Sequence, residues 1–335
     1  MCFGHHPDPV GVEQVTLGGD AVEQVSRSTS SARAAIHADP CVRSARAVPT
    51  VGATRRHTPS PPVGSDTGHD GQHLFAFLSA PLLTGMELFA VPDLPEVRPG
   101  DDVASLVRDR VDLRDDDVVC VASTVVSKAE GRSADLNSFP PGPRARELAD
   151  LLADHGAVAP DPRFVQAVLA ESVEILMEAP FLLTETRFGH VGVNAGIDRS
   201  NIPDGDVLLL PERPAESAAR IRESLTADRV VVTDTCGRPF RHGQRGVAIG
   251  WAGLKPGRDW RGETDREGRE LDVTVENVVD ELAAAANLVA GEGDGGTPAV
   301  VVRDFEWGDH AGSDDHFREI GTDYVRQAIR GWSYA

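Results

Sequence analysis

DRVVVTDT, residues 228–235, is the stretch on which the fold turns. Three successive valines between polar flanks read as a buried strand. The strand delivers Asp234 and Thr235 at its carboxyl end, where an acidic group costs stability unless it is paired or metal-bound. Outward from it, short apolar runs alternate with capped helices. LFAV at 88–91, DVVCVAS at 117–123 and PAVVVRDF at 298–305 read as further buried strands. Helices are expected near 103–112, 144–155 and 162–176. Asp161 and Pro162 supply an N-cap and a first-turn residue for the third, and Gly156 ends the second. Val275, Val278, Val279, Leu282 and Val289 share one helical face between about 273 and 290, and Gly291 stops that helix. A last helix is expected over 314–330. There is no internal repeat and no long regular βαβ series, so the pattern reads as α+β rather than doubly wound.

The 335 residues carry a formal charge of −20. Lys128 and Lys255 are the two lysines, so 31 of the 33 cationic residues are arginine. So acidic a surface repels nucleic acid and anionic membranes, and neither is expected as a partner. Abundant Asp and Glu with almost no Lys fits adaptation to a high-salt cytoplasm, where screening relieves self-repulsion. The four cysteines, Cys2, Cys41, Cys120 and Cys236, show neither CxxC spacing nor the density of a disulfide scaffold. Cys120 lies in an apolar run and reads as a small buried hydrophobe. Cys236 has no sequence-local His or second Cys to make it a nucleophile or zinc ligand. No run of 18 or more apolar residues exists, and the amino terminus lacks the charged start and apolar run of a signal peptide. A reducing cytoplasm is the expected compartment.

Residues 1–85 differ from the rest. SRSTSSARAA at 26–35 and HTPSPPVGSDTGHDG at 57–71 have no sustained helix or strand period, and such text cannot bury enough apolar surface to offset its ordering entropy. HLFAFLSAPLLTG at 73–85 is apolar but too short to span a membrane. From Met86 the text becomes protein-like and stays so. The expectation is therefore a disordered or spurious extension over 1–85 and a folded unit over 86–335.

Two segments suggest metal-assisted phosphate chemistry. NAGIDRSN (194–201) holds Asp198, and TDTCGRPFRHGQ (233–244) holds Asp234, each amid small residues, amides and hydroxyls. Mg²⁺ usually binds through one or two carboxylates together with substrate phosphates. Asp198 and Asn201 can present a carboxylate and an amide to one ligand, or form an Asx-turn or helix N-cap. Thr235 adds a hydroxyl oxygen. In VASTVVSKAEGR (121–132), Ser123, Thr124 and Lys128 follow a strand, and an ammonium suits phosphate as a point charge; the plainer alternative is a snorkelling surface lysine. GEGDGG (291–296) follows a helix instead of opening one, the wrong order for a dinucleotide fingerprint. It is either a plain turn or a place where amides approach phosphate and Glu292 holds a metal. No GxxxxGK[ST] loop is present. Arg238 and Arg241 can reach a phosphate or carboxylate, or simply neutralise local acids. His190, in RFGHVGVNAG, reads as an ordinary half-buried histidine.

As exact strings these segments resemble one family closely, the haloarchaeal type of the GTP-dependent ligase that adds L-glutamate to the deazaflavin coenzyme F-420. The resemblance also covers LPEVRPGDD (94–102), GVAIGWAG (246–253) and ELAAAANLV (281–289) followed by Gly291 and Glu292. It implies that GTP activates the terminal carboxylate of the precursor F-420-0 as an acyl phosphate, which the amine of L-glutamate attacks. Carried over by motif, Leu94, Pro95, Glu96, Val97, Ser123, Thr124, Lys128, Asn201 and the loop Ala290, Gly291, Glu292, Gly293, Asp294, Gly295, Gly296 and Thr297 match nucleotide contacts. Asp198 and Asp234 match ligands of one metal, and Thr235 and Glu292 those of a second. Mg²⁺ or Mn²⁺ is implied, with K⁺ a further candidate. Asp234 and Lys128 are the implied catalytic residues. A two-subdomain α+β unit with antiparallel sheets in an intertwined homodimer is implied as well. Met177 departs from the arginine of the family's text, and residues 1–85 match none of it, which suggests a misassigned start codon. The chain ends soon after its last helix, implying the ligase part without the reductase-like domain fused to some bacterial relatives. Competing expectations are another nucleotide-dependent amide ligase on this scaffold and a nucleotide-binding protein without turnover.

Overall fold

The computed structural model describes residues 85–155, 159–200, 202, 204–293 and 295–331. The expectations for 1–84, Gly156, Asn201 and Asp294 lie outside the described residues. In chain order the elements are β1 (Glu87–Ala90), α1 (Val103–Arg108), β2 (Val118–Ala122), α2 (Ser123–Ala129), β3 (Ser133–Ala134), α3 (Pro143–Asp154), α4 (Pro162–Glu171), β4 (Ser172–Met177), β5 (Leu183–Thr186) and β6 (Val191–Val193). There follow β7 (Val207–Leu208), α5 (Pro214–Glu223), β8 (Arg229–Gly237), β9 (Gln244–Ala252), β10 (Gly257–Asp259), β11 (Val275–Asn277), α6 (Val278–Ala290), β12 (Ala299–Arg303), β13 (Ala311–Ser313) and α7 (Tyr324–Arg330).

The principal sheet has the order β1-β12-β2-β8-β9, and within it only β2 and β8 run parallel. Smaller antiparallel sheets join β4-β5-β6, β11-β10-β13 and β3-β7. Mixed helices and mainly antiparallel sheets bear out the α+β expectation. The valines of β2, β8 and β12 are fully buried because both sheet faces are covered, which is why their text is continuously apolar rather than alternating. On one face, Val119, Val121, Val230 and Val232 pack with α1, α2 and α5. On the other, Val118, Cys120, Val231 and Val300 meet Val279, Leu282, Ala283 and Ala286 of α6. A separate core joins α3 and α4 to Leu182, Ala195 and Val207.

Three helix expectations need correction. The segment 162–176 is helical only to Glu171, where the Ser172 hydroxyl donates to Val168 O at 2.6 Å; the chain then turns extended as β4 and pairs with β5. Strand pairing overrides the helical spacing there. The helix expected over 273–290 begins at Val278, with Asn277 as its N-cap, while Val275 belongs to β11 and pairs with Asp259. Val275 and Val289 are partly exposed, and small residues, Ala283 and Ala286, complete the buried face instead. Of 314–330, only Tyr324–Arg330 is helical. Among the described residues, no helix is long and apolar enough to cross a membrane.

Candidate functional site

The parallel pairing of β2 with β8 places the site. Ala122 stands opposite Thr233, so the next residues, Ser123 and Asp234, emerge side by side at the carboxyl edge of the sheet. Ser123 is almost fully buried and donates its hydroxyl to Asp234 Oδ1 at 3.2 Å. Just before Asp234 the β8–β9 register shifts: Val232 pairs with Gly250 but Thr233 with Ala248, leaving Ile249 as an extra residue. Such a bulge re-aims the side chains that follow it. Alternation puts Asp234 on the α2 and α5 side, with Thr235 on the other.

The NAGIDRSN segment converges on the same carboxylate. A Cβ at Gly196 would lie 2.5 Å from Leu210 Cδ1 and 3.4 Å from Asp234 Oδ2, so only glycine lets this loop approach. Asn194, Ala195 and Gly196 all have left-handed backbone, with φ of 53°, 56° and 66°. For Ala195 that costs about 1–2 kcal/mol, and its amide is fixed by the buried Thr184 Oγ1 at 3.0 Å. Asp198 is held by backbone bonds to Leu208, and its Oδ1 accepts from the amide and hydroxyl of Ser200, both at 2.8 Å. The Asx-turn alternative is thus realised, and it leaves Asp198 beside the Asp234 site.

The charged groups that act on Asp234 are acidic, Asp198 and Glu292. Burial pushes the Asp234 carboxyl up to about 6. The Thr235 amide and Ser123 hydroxyl pull it down, while the negative charges of Asp198 and Glu292 push it further up. A desolvated carboxylate with two carboxylates for neighbours is costly until a cation joins it. Carboxylate and hydroxyl oxygens are donors suited to a hard divalent ion, so the residues present fit Mg²⁺ or Mn²⁺. Among the described residues no three His, Cys, Asp or Glu side chains stand together as a preformed metal cage.

The nucleotide candidates are brought together in part. Lys128 lies in the last turn of α2 and reaches Glu96 Oε1 at 2.6 Å, so the LPEV segment and the STVVSK helix meet through this ion pair. Val97 is buried and Leu94 packs on the first core, anchoring the segment, while Pro95 and Glu96 face solvent. Thr124 is half-buried. After α6, Gly291 turns the chain with a left-handed φ of 71°, Glu292 accepts from Asn287 Nδ2 at 2.9 Å, and Thr297 Oγ1 donates to Ala290 O at 2.9 Å. Gly291, Glu292, Gly293, Gly295 and Gly296 are all exposed.

Elsewhere, the Cys120 thiol is buried and pushed up to about 12, as befits an inert core residue. Burial also raises Cys236. His190 is fully rather than half buried, and desolvation lowers it to about 4. A cavity of about 440 Å³ lined by Arg229, Lys255, Trp307 and Asp314 lies at the opposite end of β8 from Asp234 and does not touch this site. Sequence reasoning missed Gly196 and the bulge at Ile249. The first was a glycine among many, and the second depends on pairing between strands.

Residues 93–304 match the family model described as "F420-0:Gamma-glutamyl ligase". A protein of Halorubrum lacusprofundi named "Coenzyme F420:L-glutamate ligase" is 72% identical over 249 residues, covering 74% of this chain and 99% of the relative. Proteins of the same name from Archaeoglobus fulgidus and Methanosarcina mazei are 46% and 41% identical, each over 73% of this chain and 98% and 96% of their own lengths. The motif strings that converge on Asp234 all lie within these matches, and the chain belongs to the F420-0:gamma-glutamyl ligase family.

Proposed function

We propose that this chain is the GTP-dependent ligase that joins L-glutamate to F-420-0, working in the cytoplasm of a salt-adapted cell as an intertwined homodimer of two-subdomain chains. In the reaction, a carboxylate oxygen of F-420-0 attacks the terminal phosphorus of GTP and GDP leaves. The glutamate amine then attacks the acyl carbon, a proton is lost from nitrogen, and phosphate leaves as the amide forms. Further glutamates join through the gamma carboxylate of the one before.

The observation that carries this reading is Asp234, a carboxylate desolvated at the sheet edge, tied to Ser123 and flanked by the charges of Asp198 and Glu292. Asp198 and Asp234 would hold one divalent ion, Thr235 and Glu292 a second, with K⁺ a further candidate. Bound there, such ions would neutralise phosphate charge as it develops. Ser123 orients Asp234. Lys128 exchanges Glu96 for a phosphate oxygen, and the Ala290–Thr297 loop, with Thr124, Asn201 and Leu94–Val97, encloses the nucleotide.

The test is purified full-length protein in concentrated KCl with GTP, Mg²⁺ or Mn²⁺, F-420-0 and L-glutamate. Mass spectrometry should show glutamyl additions, and phosphate release should require both F-420-0 and glutamate. Equal turnover with ATP, or no glutamyl product, would count against the assignment.

A further inference from the structure

The β8–β9 hairpin continues beyond its last ladder pair, Gly237 with Gln244, into the tip RPFRHG, 238–243. Phe240 at its apex is 98% exposed, the most exposed large apolar side chain among the described residues. Its backbone is left-handed, with φ of 66°, a conformation that a bulky residue rarely adopts. A strained residue that carries an exposed ring is a candidate for binding. Arg238 and Arg241 flank it, both exposed, and among the described residues neither has an ion pair or side-chain hydrogen bond, although the chain carries 53 acidic residues. Arg245, four residues past Arg241 in β9, by contrast reaches Asp280.

We propose that this tip is the arm that receives the acyl substrate, with Phe240 stacking on its flat ring and Arg238 and Arg241 holding its anionic groups. The inference rests on the ligase reading and adds residues that reading does not use. Charge supports it first. In a chain of net −20, two exposed arginines three residues apart with no acidic partner make a local positive patch that draws an anionic substrate toward the site. Reach supports it next. Arg238 stands four residues past Asp234 on an extended strand, about 13 Å at ~3.3 Å per residue, room for a molecule whose carboxylate reacts at one end while its ring lies at the other. An exposed aromatic ring with two unpaired arginines close by in the same turn offers a stacking face and anion donors together, the pairing that suits a flat, anionic ring system.

The test compares Phe240→Ala, Phe240→Trp and the Arg238→Ala/Arg241→Ala double variant in the full chain. KM is measured for F-420-0, GTP and L-glutamate, F-420-0 binding by its deazaflavin fluorescence, and oligomeric mass by light scattering. Phe240→Ala should raise KM and Kd for F-420-0 about tenfold, with those for GTP and glutamate within about twofold, and Phe240→Trp should restore them. The double variant should weaken F-420-0 at least as much and flatten its salt dependence. An unchanged F-420-0 affinity in variants that still turn over overturns the arm. So does a change of oligomeric mass, which would make the tip a contact with a second copy. If the wild type binds F-420-0 through the tip yet adds no glutamate, the ligase reading fails and the arm stands.

Discussion

Asp234 works against the stability of the protein that carries it. Its carboxyl sits near 6 in the fold against an ordinary 3.8, so between those values the folded chain keeps a proton that the unfolded chain has released. That stabilising proton is fully present below the unfolded value and is lost as pH rises through about 6. Metal-free protein should therefore lose roughly 2–3 kcal/mol from this group between pH 4 and pH 7.5. Asp234→Asn should abolish turnover, by a factor of a hundred or more, and yet unfold later than wild type at pH 7.5 without metal. That advantage should vanish at pH 4, and Mn²⁺ should raise the midpoint of the wild type only; thermal melts at the two pH values, with and without Mn²⁺, decide. If the variant is destabilised at both pH values, Asp234 is a structural anchor instead. Lys128 is the complementary case, since its ammonium is already paired with Glu96. Lys128→Ala should weaken GTP binding in a calorimetric titration as well as slow turnover, and retention of near wild-type affinity would remove Lys128 from the phosphate site.

At the scale of elements, β9 is wedged between two helices, and its glycines make the fit possible. Gly246 lies under the backbone of α6 at Ala283, and Gly250 under α5, where a Cβ would come within 2.5 Å of Pro214 O and 2.6 Å of the Ala215 amide. The extra residue at Ile249 is what lets two glycines four apart face opposite helices. Gly250→Ala should cost about 1–3 kcal/mol, the range for overpacking a close interface, and because β8 shares this register it should also reduce turnover. Equilibrium unfolding in denaturant measures the first; a change below about 0.5 kcal/mol would mean that α5 shifts freely. The same elements show what the sequence could reveal. β2, β8 and β12 were legible because doubly covered strands need unbroken valine runs. An aspartate ending such a run was legible because burial makes it expensive. β4 and β11 were not, since their apolar residues continue the spacing of the adjoining helices and only pairing with β5 and β10 settles them. The Ser123–Asp234 contact was also hidden, because it arises from the register of two strands more than a hundred residues apart.

At the scale of the whole molecule, the family match falls on residues 93–304 and leaves the first quarter of the chain outside it. The Halorubrum relative is matched over 99% of its length by 249 residues, which are 74% of this chain. We propose that residues 1–85 contribute nothing to catalysis. None of the site candidates falls among them, no lysine occurs there, and their Ser-, Pro- and Arg-rich text lacks the apolar period by which a segment buries surface and adds stability. The competing idea is specific: HLFAFLSAPLL, 73–83, is apolar enough to dock on the folded unit as an added strand or helix. A chain starting at Met86 separates the two. Both lengths are assayed in concentrated KCl, because a surface carrying a net −20 needs screening before stabilities can be compared. Docked apolar residues contribute about 25 cal/mol for each Å² they bury, so a segment of this size would lower the unfolding midpoint measurably when removed. The expected outcome is equal turnover and equal midpoint. A lower midpoint with unchanged turnover would make the segment a brace, and a loss of both would make it part of the enzyme.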